Sequence, residues 1–493
     1  MSKKDPLIDC ISKMDGSEKR YFSIFATRHA QENEGKKYLT IFSQIDKNPG
    51  ITFLQLKELL KKEGVATSYL KADCNYLYGL IMQSLNQFHH RKSYSIRIKN
   101  LTISAELLFY KGMFDHAYKR LQKAEKLALD VENFPILLDV LYWQKRCLGY
   151  SKGFQKASEV NLKISDTITQ LDTLQEITNL YYQSYKLHID KDKTDTGETA
   201  RSFEQLFSHP ALKSDKSISS FSTRIYFHLI QAHRFYAEND NAKELDSLKK
   251  IEIVFETFSA YKNEHPLDFI SIMDRLLNLK KFLDPAGFFE NLKDLRKNNF
   301  ITNYQKSILE QRIFLITNIH EIEYYLINHE YETALKKAQD SEILFSKNNI
   351  GIEPFYMIHL YYVCALAHFV NGKFDRCLDL INYVLNDFSL ADRPSVYCKI
   401  EILNLLTHFE LKNGQILMSI AKNIQRKYFN KIMLLPVEKE LVKVFSSYRE
   451  NTTSKFKSKL LKIYAAYKSD DSQNVFSKQY VLDNYLLWMQ KHT

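Results

Sequence analysis

The chain is predicted to be all-α, a solenoid of antiparallel helix pairs, on three observations. Glycine and proline are scarce, apolar residues recur three and four apart over most of the length, and one helix–helix corner returns at a near-constant interval. Only 13 Gly and 9 Pro occur in 493 residues, against the usual ~7% and ~5%. Compact β folds and doubly wound α/β folds spend Gly and Pro on tight turns and phosphate loops, so the shortage argues against both. With 45% hydrophobic and 26% charged residues the composition is that of a globular chain and excludes wholesale disorder.

Residues 1–95 form an N-terminal module of four predicted helices. Ser17 is read as the cap of the first, with Glu18 at the positive end of its dipole. Helices follow over 36–47, 52–63 and 67–91, parted by Asn48-Pro49-Gly50 and Glu63-Gly64. The last places Leu70, Cys74, Leu77, Ile81, Leu85 and Phe88 on one apolar face and Lys71, Asn75 and Gln83 opposite, with Arg91 and Lys92 at its end. That is a thin set of donors for DNA phosphates. Nucleic acid therefore ranks as an alternative partner for this module.

Residues 96–430 carry the repeat. Leu107, Leu108, Tyr110, Phe114, Ala117, Leu121, Ala124 and Ala128 trace an amphipathic pattern broken at Lys111-Gly112. The corner Gly112-Met-Phe114-Asp-His-Ala117 returns at Gly153-Phe154-Gln-Lys-Ala157, His329-Glu-Tyr331-Glu-Thr-Ala334 and Gly372-Lys-Phe374-Asp-Arg-Cys377. The small residues are 40 apart from 117 to 157 and 43 apart from 334 to 377, and Asn413-Gly414 repeats Asn371-Gly372 42 residues on. Weaker echoes fall near Ala200, Ala242 and Ala286. A period of about 42 is the signature of stacked helix pairs: a small residue lets the pair close up, and the aromatic fills the hole beside it. Residues 431–493 are read as C-terminal capping helices, with a basic amphipathic helix over Phe456 to Tyr467.

The corner G-x-[FY]-x-x-A with apolar positions following resembles half of the tetratricopeptide repeat (TPR), matched here by Gly112, Phe114, Ala117, Leu121 and Ala124, with Trp143 near the motif's first-helix aromatic slot. The period of about 42 departs from the TPR's 34 and implies longer helices, and most units lack the first-helix Leu-Gly pair. The resemblance implies a right-handed TPR-like α-solenoid that binds a peptide or partner protein in its concave groove. Residues 1–95, with Ser17 to Phe22, Asn75-Tyr76-Leu77-Tyr78 and Leu85-x-x-Phe88-His89, resemble an N-terminal module of TPR-like proteins from Bacteroidetes-type bacteria. That likeness implies an architecture and no activity.

Signatures of catalysis are missing. No GxGxxG, P-loop or GxSxG pattern occurs, so a non-enzymatic protein without cofactor or metal is expected. His320-Glu321-Ile-Glu323-Tyr324 begins like a zinc-protease helix, but Tyr324 stands where the second His must face the metal. Asp190-Lys-Asp192-Lys-Thr194-Asp195 opens like a calcium loop yet has Asp195 where the turn needs Gly and Arg201 where the bidentate Glu belongs. The six cysteines show no CxxC spacing and sit among apolar neighbours, as small core residues do. Without a signal-peptide core or an apolar stretch of membrane-spanning length, a soluble cytoplasmic chain is expected.

Two binding features stand out. Aligning Ala242 with the other corners puts Arg224, Phe227, His228, Gln231 and Arg234 on the face that TPR arrays turn to ligands, where two Arg donors and an aromatic suit a carboxylate. Tyr142, Trp143 and Arg146 hold the comparable face of an earlier unit, and Glu401, Asn404 and His408 that of a later one. The second feature is charge. The net +11 divides into +7 over 1–100, −5 over 101–411 and +9 over 412–493, and Lys455, Lys459 and Lys462 lead a basic C-terminal surface. A peptide- or protein-binding scaffold is the favoured function; the alternative is a peptide-sensing regulator whose N-terminal module binds nucleic acid.

Overall fold

The computed structural model describes residues 5–29, 32–90, 92–190, 196–213, 220–297, 306–347, 354–389, 394–429, 434–448, 453–468 and 476–492. These residues form twenty-four α-helices and one 3₁₀ turn, with no strand among them. They divide into two units: the first runs to Leu171 and takes in Lys306 and Ser307 at the start of one later helix, and the second holds the rest from Asp172 onward.

The first unit holds α1 (Pro6–Lys13), α2 (Gly16–His29), α3 (Glu32–Lys47), α4 (Phe53–Lys62), α5 (Leu70–His89), α6 (Tyr94–Tyr110), α7 (Phe114–Asp130), α8 (Phe134–Ser151) and the first half of α9 (Phe154–Asp190). Residues 5–90 thus hold five helices where four were expected. The extra one is α1, whose Leu7 and Ile11 are buried in the same core as Phe22, Ile41, Leu60 and Leu77. Ser17 is not the cap of α2. Asp15 accepts from the amides of Ser17 and Glu18, and Glu18 returns a bond to the Asp15 amide, a capping box begun two residues earlier. From α6 onward successive helices pack in series, α6 on α7 and α7 on α8, while α6 also touches α8. Ala117, Leu121, Ala124 and Ala128 line the buried stripe of α7.

The second unit continues through the rest of α9, α10 (Thr196–Phe207), α11 (Phe221–Ala237), α12 (Asn241–Thr257), α13 (Ser259–Glu264), α14 (Pro266–Leu283), α15 (Pro285–Lys297), α16 (Lys306–Ile327) and α17 (Tyr331–Lys347). It closes with α18 (Pro354–Val370), α19 (Phe374–Asp387), α20 (Pro394–Glu410), α21 (Gly414–Tyr428), α22 (Pro436–Ser446), α23 (Thr453–Lys468) and α24 (Phe476–His492). The helix α23 answers the predicted basic helix; α24, which buries Tyr485, Trp488 and Met489, carries no repeat signal. Here too neighbours pack in series, α11 on α12, α18 on α19 and α20 on α21, with α18 touching α20.

What ends the paired helices is one hydrogen-bond pattern. Met113 N donates to Leu108 O across Gly112, whose φ is 73°. The same six-to-one bond spans Glu132, Asn239, His329, Gly372 and Lys412, all at positive φ, so these six corners turn through a left-handed residue, whereas α14 ends at Asp284 with φ −151°. Asn413-Gly414 is therefore shifted from its expected role: Lys412 makes the turn and Gly414 opens α21. The small residues Ala117, Ala157, Ala334 and Cys377 are buried as expected. Ala242 and Ala286 are exposed. At the Asn239 corner the slot five residues on, where Ala117 and Ala334 lie relative to their own left-handed residues, is filled by buried Glu244.

Five cysteines are buried and Cys10 is half-buried, all as free thiols. Burial pushes Cys147 up to about 11 and Cys377 up to about 12, as inert core positions require. No helix among the described residues is long and apolar enough to cross a membrane. Residues 191–195 of the acidic loop lie outside the described residues.

Candidate functional site

A cavity of about 910 Å³ lies wholly within the second unit. Its walls come chiefly from the first helix of each pair. Tyr181, Tyr182, Tyr185 and His188 are on α9, Tyr226, His233 and Tyr236 on α11, Asp268, Asp274, Arg275 and Lys281 on α14, and His320 and Glu323 on α16. Tyr356 and His359 of α18 and Lys399 of α20 complete it.

One end is aromatic. The Tyr181 ring lies 5.3 Å from Tyr226, 5.4 Å from Tyr182, 6.1 Å from Tyr185 and 5.5 Å from His233. The His188 ring lies 4.3 Å from Tyr236, tilted by 46°. Burial holds His233 neutral, far below the usual histidine range, with Arg275 and His188 adding to the effect. Its Nδ1 is 2.9 Å from Ser184 Oγ. Burial also raises the phenols of Tyr181 and Tyr226.

The floor is a buried ionic network. Lys281 Nζ donates to Glu323 Oε2 at 2.6 Å and to Asn278 Oδ1 at 2.9 Å. His359 Nε2 donates to Glu323 Oε1 at 2.9 Å, His320 Nε2 to Asp274 Oδ1 at 2.7 Å, and Tyr356 Oη to Asp274 Oδ2 at 3.3 Å. Burial alone would lower the pKa of His320, but Asp274 and Glu323 outweigh it and hold the ring above its ordinary value. Glu323 is the reverse case: burial opposes its charge, while Lys281, His359 and His320 keep it well below the usual carboxylate range. Nearby, Arg275 Nη2 donates to Glu244 Oε1 at 3.0 Å, so the residue that replaces the small corner position is neutralised by a partner. His320 Nε2 is engaged with Asp274 and its Nδ1 lies 3.5 Å from Glu323 Oε2, so both ring nitrogens face carboxylates. No group of His, Cys, Asp and Glu among the described residues is arranged to hold a metal ion. Chemically the cavity offers aromatic faces, fixed charges and a cleft of ligand size.

The α11 residues singled out from the sequence share a face, but it is the neighbouring one. None of Arg224, Phe227, His228, Gln231 and Arg234 lines the cavity. Arg234 pairs with Glu238 at 2.7 Å and lies over Phe207, while Phe227 packs against the Ile177–Phe203 cluster. Burial, together with Lys250, pushes His228 down to about 4. In the first unit Arg146 sits 4.5 Å over Trp143 and 4.9 Å over Phe109, with Tyr142 exposed beside them. Glu401 and Asn404 are buried, Glu401 holding Lys427 at 2.6 Å, and His408 accompanies Asn413 at 3.0 Å. Lys455 and Lys459 line a second cavity of about 520 Å³ with Lys422, Ser447 and Phe456; Lys462 is exposed and does not line it. On α5 the exposed side carries Lys71, Asn75 and Gln83 among Tyr76, Tyr78 and Met82.

The tyrosine end was missed although Tyr181-Tyr182-x-x-Tyr185-x-x-His188 is an audible helical run. Its partners on α11 were hidden by the two-residue misalignment at Ala242. No protein-family model matches the chain, and no curated protein is significantly similar to it.

Proposed function

We propose that this is a non-enzymatic, TPR-like protein whose helix pairs stack with a right-handed twist and a period of about 42, and that it binds an extended peptide or protein segment in the cavity of the second unit. The observation that carries the reading is the origin of the walls: α9, α11, α14, α16, α18 and α20 each contribute, while the second helices of the pairs mostly stay behind them. A peptide laid across such a row meets one helix after another, as ligands of helical-repeat arrays do. The left-handed corner residues support the period, with 41 residues from Gly112 to Gly153, 43 from His329 to Gly372 and 40 from Gly372 to Lys412. Free thiols in both units fit a reducing cytoplasm, where the chain acts as a scaffold or adaptor.

Selection of a displayed random 12-residue peptide library on the full chain tests this. A recurrent peptide should emerge whose saturable binding is lost when Ser271→Trp fills the cavity and is kept in Lys462→Ala. If repeated selections yield no saturable peptide, the reading is wrong.

A further inference from the structure

We infer that the tyrosine end of this cavity selects an arginine side chain; this rests on the cavity being a peptide groove. The argument is a charge census of the lining. Four carboxylates face the cavity. Glu244 is held by Arg275, Glu323 by Lys281 and His359, and Asp274 accepts from His320 and Tyr356. Asp268 differs: its side chain is 69% exposed, with His265 Nδ1 at 3.6 Å as its ion-pair contact. Of the cations, Arg275 and Lys281 are engaged by those same acids, and Lys399 belongs to α20, far along the row of helices.

The aromatic surface lies at the Asp268 end. Tyr182 and Tyr185 are 64% and 44% exposed, a large area of π-face for tyrosines that line a cleft. Tyr181 and Tyr226 are the more buried pair; the Asp268 carboxylate acts on both phenols, and on Tyr181 the Arg275 held by Glu244 acts in the opposite sense and more strongly. Aromatic faces beside an exposed carboxylate whose contact is a histidine 3.6 Å away attract a cation and repel an anion. A planar guanidinium fits better than an ammonium, because it stacks on a ring while its edge donates two parallel hydrogen bonds to a carboxylate. The preference is opposite in sign to the carboxylate expected from Arg224 and Arg234, since those residues lie on another face.

A positional-scanning array of eight-residue peptides, each pool fixing one residue in a random background, reads this with the full chain as probe. Pools with fixed Arg should bind at least about tenfold more than pools with fixed norleucine or Glu, and more than Lys pools. In Asp268→Lys the preference should turn to Glu, and Tyr182→Leu should bring Arg and Lys pools to within about twofold of each other; both positions are exposed, and far-UV circular dichroism checks that the helices persist. An equal response to Arg and Lys in the wild type, a Glu preference there, or an Arg preference that survives Asp268→Lys would overturn the inference while leaving peptide binding intact. No saturable binding to any pool would instead remove the groove reading beneath it.

Discussion

Gly112, with φ at 73°, shows how a corner depends on one backbone angle. A Cβ added there meets nothing within 4 Å, so Gly112→Ala tests conformation without a clash. It should cost about 1 kcal/mol, since an L-residue pays for the left-handed region. Lys412 is the mirror case: it is exposed, holds φ at 59° and closes α20 by the same bond. Lys412→Gly should stabilise by up to about 1 kcal/mol, and urea denaturation of both variants measures the difference. These residues also explain which corners could be read from the sequence. Gly112, Gly153 and Gly372 announce themselves, because only glycine enters that region freely. Glu132, Asn239 and Lys412 make the same turn without glycine and give no such signal, whereas the His329 corner is legible from the Tyr331 and Ala334 that follow it.

Among the helices, α14, α16 and α18 are joined by the Lys281–Glu323–His359 and Asp274–His320 bonds. Removing one charge of a buried pair strands the other, so Glu323→Gln should cost about 3–5 kcal/mol. The histidine adds a pH dependence with a definite sign. Its folded pKa is raised, so its contribution is full below the unfolded value near 6.5 and fades as pH rises through the folded value. The stability gap between wild type and His320→Gln, followed by denaturation from pH 6 upward, should therefore narrow. A gap that widens would contradict the raised pKa. Most helices were legible, because three-and-four spacing reports a buried stripe locally; short α1 was not. This network was not: its members lie between residues 274 and 359 and are united only by packing. His320 and Glu323 drew notice only as a broken zinc motif.

At the scale of the molecule, each unit has its own apolar core. Leu77 belongs to the N-terminal cluster, and Leu441 to the large cluster that runs from α16 to α24. Both are fully buried, so Leu77→Ala and Leu441→Ala should each cost about 2–5 kcal/mol. As they share no neighbours, the double variant should equal the two together within about 0.5 kcal/mol; a larger discrepancy in denaturation would show coupling between the cores. The division at Leu171 falls inside the continuous helix α9, where unbroken helical periodicity gives no sign of a boundary. Composition had marked the basic C-terminal stretch, and Lys455 and Lys459 do frame a small cavity there. Net charge locates such a surface without naming what meets it.

The two tryptophans are divided one to each unit. Trp143 is half-buried under the Arg146 guanidinium, whereas Trp488 is buried and donates to Glu410 at 2.7 Å. A fluorimeter can therefore address the halves separately. In Trp143→Phe the remaining emission should be blue-shifted and report only the second unit, where the tyrosine-lined cavity sits; in Trp488→Phe it should report only the first. Quenching by acrylamide should be stronger in the latter.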